Sequence, residues 1–91
     1  KPFIFSRVGF SGTFEGDGYE VLTITAGGPA EKAGLKKGDV LTMLDGQVAK
    51  ELGLSGSREI FRRAPGTRLQ ATVRTATGAT RMVVIILQDV L

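Results

Sequence analysis

Neither cysteine nor histidine occurs in this 91-residue chain. Without cysteine there is no disulfide framework and no thiolate metal site; the compartment stays open, because a thiol-free chain suits a reducing cytosol and an oxidising envelope alike. Without histidine the commonest general base, the Ser-His-Asp and Cys-His arrangements and the usual zinc ligand sets fall away. No run comes near the roughly 18 to 20 apolar residues of a membrane-spanning helix, and the opening residues do not read as a signal peptide. No glycine-rich loop leads into Lys-Ser or Lys-Thr ahead of a helix, so a phosphate cradle is missing too; Gly16 and Gly18 have the wrong spacing for a dinucleotide fingerprint.

What remains reads as one modest globular domain. At 91 residues, 42% hydrophobic and 23% charged, the chain can bury a single core. Its 13 glycines point to many turns and short strands, hence a β-rich fold. Lys1, standing where a starting Met would be, suggests a piece excised from a longer multidomain protein. The net charge of +3 is too small to imply nucleic acid. Arg58, Arg62, Arg63 and Arg68 form the best basic cluster, but Glu59 interrupts it and no stacking aromatics are interleaved, so it reads as a solvated helix face. Of the nine acidic residues, Asp17 and Asp45 each precede a glycine and read as turn formers rather than an acid/base pair. No catalytic residue, metal site or cofactor is expected.

The stretch Val21–Gly46 carries the clearest local signals. Val21, Leu22 and Ile24 indicate one strand, and Val40, Leu41, Met43 and Leu44 another. Between them Gly28 can cap a short helix with Pro29 at its first position and Glu31 in its first turn, and Gly34 can end it. Gly38-Asp39 then forms a tight turn whose carboxylate can accept local backbone N–H groups.

Around this stretch, Lys1–Phe5 is expected to form a first β-segment, and Glu15–Gly18 a hairpin turn. Residues 47–54 read as a loop anchored by Val48 and Leu52. Residues 55–64 read as a second helix, with Ser55 or Ser57 as N-cap and Pro65-Gly66 as its stop. Ile60 is expected in the core; Ser57, Phe61 and Ala64 share a face that can be turned toward a groove. Residues 67–75 alternate as a half-buried strand. Met82–Leu87 is apolar without alternation, which calls either for a sheet curled enough to bury both faces or for cover from a neighbouring domain.

Taken in order, the Gly9 loop, the hairpin, the run Gly27-Gly28-Pro29-Ala30-Glu31-Lys32-Ala33-Gly34-Leu35-Lys36-Lys37-Gly38-Asp39-Val40-Leu41, the Asp45-Gly46 turn, a helix, Pro65-Gly66-Thr67 and two closing strands resemble a bacterial PDZ domain in its circularly permuted form. Gly28 departs from the serine more usual before the proline. The resemblance implies an α+β fold: a five- or six-stranded antiparallel sandwich or open barrel capped by two helices. It places a carboxylate-binding loop at Arg7, Val8, Gly9 and Phe10, where successive N–H groups can form an anion nest. The strand Phe10, Ser11, Gly12, Thr13 would offer its free edge to an extended peptide, with Ser57 and Phe61 lining the terminal pocket and Arg7 attracting the carboxylate or standing solvated.

The function so implied is non-catalytic capture of a C-terminal or extended apolar segment by strand addition, serving an attached protease. The end, Gln88-Asp89-Val90-Leu91, looks like that of PDZ modules following retropepsin-like aspartyl protease domains in bacterial envelope proteins, which favours the periplasm or envelope. No Asp-Thr-Gly or Asp-Ser-Gly occurs here, so such a protease domain would lie before Lys1. The rival reading is a docking domain with a degenerate groove, contacting its neighbour through Phe3, Phe5 or the Met82–Leu87 strand.

Overall fold

A computed structural model describes residues 3–5 and 7–88; the Asp89–Leu91 end lies outside the described residues, as do the side chains of Phe3 and Phe5. The elements run β1 (Phe3–Phe5), β2 (Phe10–Glu15), β3 (Gly18–Ile24), α1 (Pro29–Lys32), β4 (Val40–Leu44), β5 (Gln47–Val48), α2 (Ala49–Phe61), β6 (Arg68–Arg74) and β7 (Thr80–Ile86). Six strands follow one antiparallel path, β1-β2-β3-β4-β6-β7, and the two-residue β5 pairs with β4 beside it. This is the expected α+β architecture, an open sheet with helices.

Local chemistry explains the central stretch. Gly28 caps α1 in extended conformation and Pro29 occupies its first turn. Glu31 reaches back to accept the Gly27 N–H at 2.7 Å, much as a capping-box glutamate does. Gly34, at φ +90°, ends the helix. Asp39 is buried, and its Oδ2 accepts the Lys36 N–H at 2.9 Å and faces Arg81 at 3.4 Å. Asp45 and Gly46 both have positive φ, as a two-residue hairpin turn between β4 and β5 requires. Asp45 also pairs with Arg63 and accepts the Gln70 N–H at 2.9 Å. Asp17 binds Arg74 through both carboxylate oxygens, at 2.6 and 3.0 Å, and that hydrogen-bonded guanidinium holds its pKa below the ordinary value.

Two expectations change. Residues 47–54 are not a loop: β5 is followed directly by a helical turn, which Gly53 breaks at φ +69°, ψ −176°, a conformation reserved for glycine, before the helix resumes. Ser55 and Ser57 therefore lie within α2, and neither caps it. In β7 and the residue after it, Val83, Ile85 and Leu87 point inward while Met82, Val84 and Ile86 are 61%, 44% and 49% exposed. The alternation that composition hid is present in the fold, and the sheet does not curl over its outer face.

Candidate functional site: the Arg7–Phe10 loop and the β2 edge

The loop before β2 is held by its carbonyls. Val8 O accepts the Ala30 N–H at 2.8 Å, and Gly9 O accepts the Thr25 N–H at 2.9 Å. No peptide bond among the described residues is cis, so the N–H of each peptide unit points opposite its carbonyl. The Gly9 and Phe10 N–H groups are accordingly directed away from α1 and from the end of β3. Gly9 makes this possible with φ +84°, and a Cβ there would stand 3.1 Å from Pro29 Cδ. The loop is thus clamped onto the most legible part of the sequence.

Arg7 also has a contact that the sequence did not suggest. Its Nη1 donates to the carbonyls of Arg62 and Arg63 at 2.8 and 3.1 Å, a cation on the carbonyls just past the C-terminal end of α2. It fastens the loop to the helix terminus.

Val8 and Phe10 are buried, and so are Ser57 and Phe61. Phe61 meets Phe10 edge-to-face at 5.8 Å and Tyr19 at 5.5 Å, and Tyr19 in turn stacks against Phe14 at 4.8 Å. These four rings form the floor between β2, β3 and α2. Tyr19 was not singled out by sequence reasoning. The available signal was its being the sole tyrosine, next to a hairpin turn at the head of an apolar strand. Burial raises the Tyr19 pKa, opposed by the Ser57 hydroxyl beside it.

Ser11, Gly12 and Thr13 continue along β2. Between Ser11 and Gly12 the β2–β3 register slips, leaving Leu22 as the extra residue of a bulge. The edge of β2 away from β3 is not free, contrary to the sequence expectation: β1 pairs there, Phe3 with Gly12, Ile4 with Ser11 and Phe5 with Phe10. Turning the chain back through the Arg7–Gly9 turn brings the two strands together. Among the described residues no group of His, Cys, Asp or Glu is placed to hold a metal ion.

Residues 20–75 match the family model of the PDZ domain. This chain belongs to the PDZ family. It is 32% identical over 86 residues to a putative serine protease HhoA of Synechocystis sp., covering 84% of this chain and 20% of that protein. It is 38% identical over 66 residues to a probable periplasmic serine endoprotease DegP-like of Rhizobium meliloti, covering 68% and 12%. The PDZ chain thus spans a fifth or less of these curated relatives. A solved photosystem II D1 C-terminal processing protease superposes with TM-score 0.80 at 30% identity, over 94% of this chain and 24% of that one. The HtrA-type protease AlgW with decapeptide shares the fold at TM-score 0.73 and 21% identity, over 100% and 30%. The relatives named here are proteases of serine and C-terminal processing type, and no aspartyl protease stands among them.

Proposed function

We propose that this PDZ domain is a non-catalytic module that captures an extended or C-terminal apolar peptide segment along β2 and thereby regulates, or delivers substrate to, a protease domain of serine type in the same protein. The observation that carries the reading is the loop: with the Val8 and Gly9 carbonyls bound inside, the Gly9 and Phe10 N–H groups turn to the side of β2 away from α1 and β3, the side on which β1 also pairs, and an anionic chain end is best received there. Ser11, Gly12 and Thr13 supply the pairing backbone, Gly9 and Phe10 the donors, and Val8, Ser57 and Phe61 the buried support beneath them. Arg7 positions the loop. The element order is read as the permuted bacterial form, and the DegP-like relative favours a periplasmic or envelope setting.

Titration of paired synthetic peptides, each with a free or an amidated C-terminus, tests this. Tighter binding of the free acids is expected; no binding of either kind across a varied library would sink it. A docking role is favoured by a separate observation, the exposed row Met82, Val84 and Ile86. It predicts that lysine substitution in this row weakens attachment to a neighbouring domain and leaves peptide binding alone. Hydrolysis of casein by the isolated domain is not expected.

A further inference from the structure

We propose that β1 is an internal occupant of the acceptor edge, and that a peptide ligand binds by displacing the chain's own Phe3–Phe5 strand. The inference rests on the reading of β2 as the acceptor strand and adds the regulation of that site.

A strand has two edges, each with one row of N–H and C=O groups. Over Phe10–Gly12 both edges of β2 are in use, one by β3 and the other by β1. A third strand has nothing to pair with there, so ligand and β1 exclude one another. Their polarity also matches. A segment captured antiparallel to β2, with its carboxylate at the loop, places its last residue opposite Phe10 and earlier residues toward Glu15. β1 has the same course, with Phe5 opposite Phe10 and Phe3 opposite Gly12. The difference lies at the end: a ligand stops in a carboxylate, whereas β1 continues through the chain toward Arg7 and brings no terminal charge to the loop.

The occupant is short. β1 has three residues, at the lower limit for a strand, while β2 has six. Among the described residues no strand pairs with Thr13, Phe14 or Glu15 on the side away from β3. An incoming peptide can pair first at this uncovered end and then replace β1 residue by residue toward Phe10. β1 meanwhile competes as a tethered segment, whose effective concentration is on the order of millimolar for a short connection. The site therefore selects ligands long enough to use the whole of β2, about six residues at one ligand residue per β2 residue, over tripeptides that only match β1.

The probe is the synthetic hexapeptide Ala-Lys-Pro-Phe-Ile-Phe with a free carboxylate, which carries the chain's own Phe-Ile-Phe. In the antiparallel register Phe10 turns its backbone groups toward β1, so Phe5 is a hydrogen-bonded position and Ile4 is not. Phe5→Pro in the full chain therefore removes the ladder donor opposite Phe10 and disfavours pairing of β1. It is expected to bind the probe at least tenfold more tightly than the unsubstituted domain. Because the chain contains no cysteine, the double variant Ile4→Cys with Ser11→Cys gives a single cross-strand disulfide. The oxidised form is expected to lose binding and to regain it on reduction. Equal affinity of Phe5→Pro and the unsubstituted domain, or of the oxidised and reduced double variant, overturns displacement while leaving peptide capture standing. No binding of this or any other free-carboxylate hexapeptide to Phe5→Pro or to the reduced variant overturns both.

Discussion

Gly12 has no room for a methyl group: a Cβ there would lie 2.4 Å from the Glu20 carbonyl oxygen and 3.0 Å from the Phe10 ring. Gly12→Ala must open the β2–β3 bulge, and we expect it to cost about 1–3 kcal/mol, read as a lowered urea midpoint. Phe61 is equally constrained. Phe61→Ala should cost about 3–5 kcal/mol by the same measurement, so a charged residue there would test folding rather than peptide binding. Tyr19 supplies a pH signature. Its folded pKa is raised by burial, so its contribution is complete below the unfolded value near 10. That contribution is lost as pH rises through the folded value. Thermal melts from pH 8 to 11 should show an alkaline decline in the parent that is shallower in Tyr19→Phe. Sequence reasoning reached the residue level where one residue type allows one local geometry, as at Gly34, Gly38-Asp39 and Asp45-Gly46. It did not reach the full burial of Ser57 and Phe61, because a shared helix face does not say how deeply that face is covered.

At the scale of elements, α1 and its flanking strands were legible because caps, turns and periodicity agree. α2 was less so: its first turn hides behind Gly53, whose backbone conformation leaves no mark in composition. The covered edge of β2 was also hidden, since pairing between β1 and β2 depends on how the Arg7–Gly9 turn directs the chain. The role of Arg7 belongs at this scale. Arg7→Gln should destabilise the domain by about 0.5–1 kcal/mol through loss of the α2 terminus contacts. It should also weaken peptide binding, with the salt dependence of that binding nearly unchanged. A binding constant whose salt slope falls with the substitution would instead show Arg7 acting on the ligand's charge.

Across the whole molecule, the outermost strands differ in character. β1 is three residues long and lies beside the loop; β7 pairs along its full length with β6, from Arg68–Ile86 to Arg74–Thr80, and shows three apolar side chains to solvent. Met82→Lys combined with Ile86→Lys should leave stability within about 0.5 kcal/mol, because both side chains are already exposed. Peptide affinity should be unaltered, and equilibrium unfolding with a parallel titration checks both. The apolar composition of Met82–Leu87 was plain in the sequence, but which half faces water depends on β6 covering the other half.

The Gln88 N–H donates to the Arg7 carbonyl at 3.1 Å, so the strand that closes the sheet returns to the root of the loop that opens it. Mechanically this makes the loop a junction. A pull applied between residues 7 and 88 loads that hydrogen bond before any ladder of the sheet, and a twist delivered at either point reaches the Gly9 and Phe10 amides within a few bonds. Tension on the chain would therefore be felt first at the loop proposed to receive a ligand's terminus.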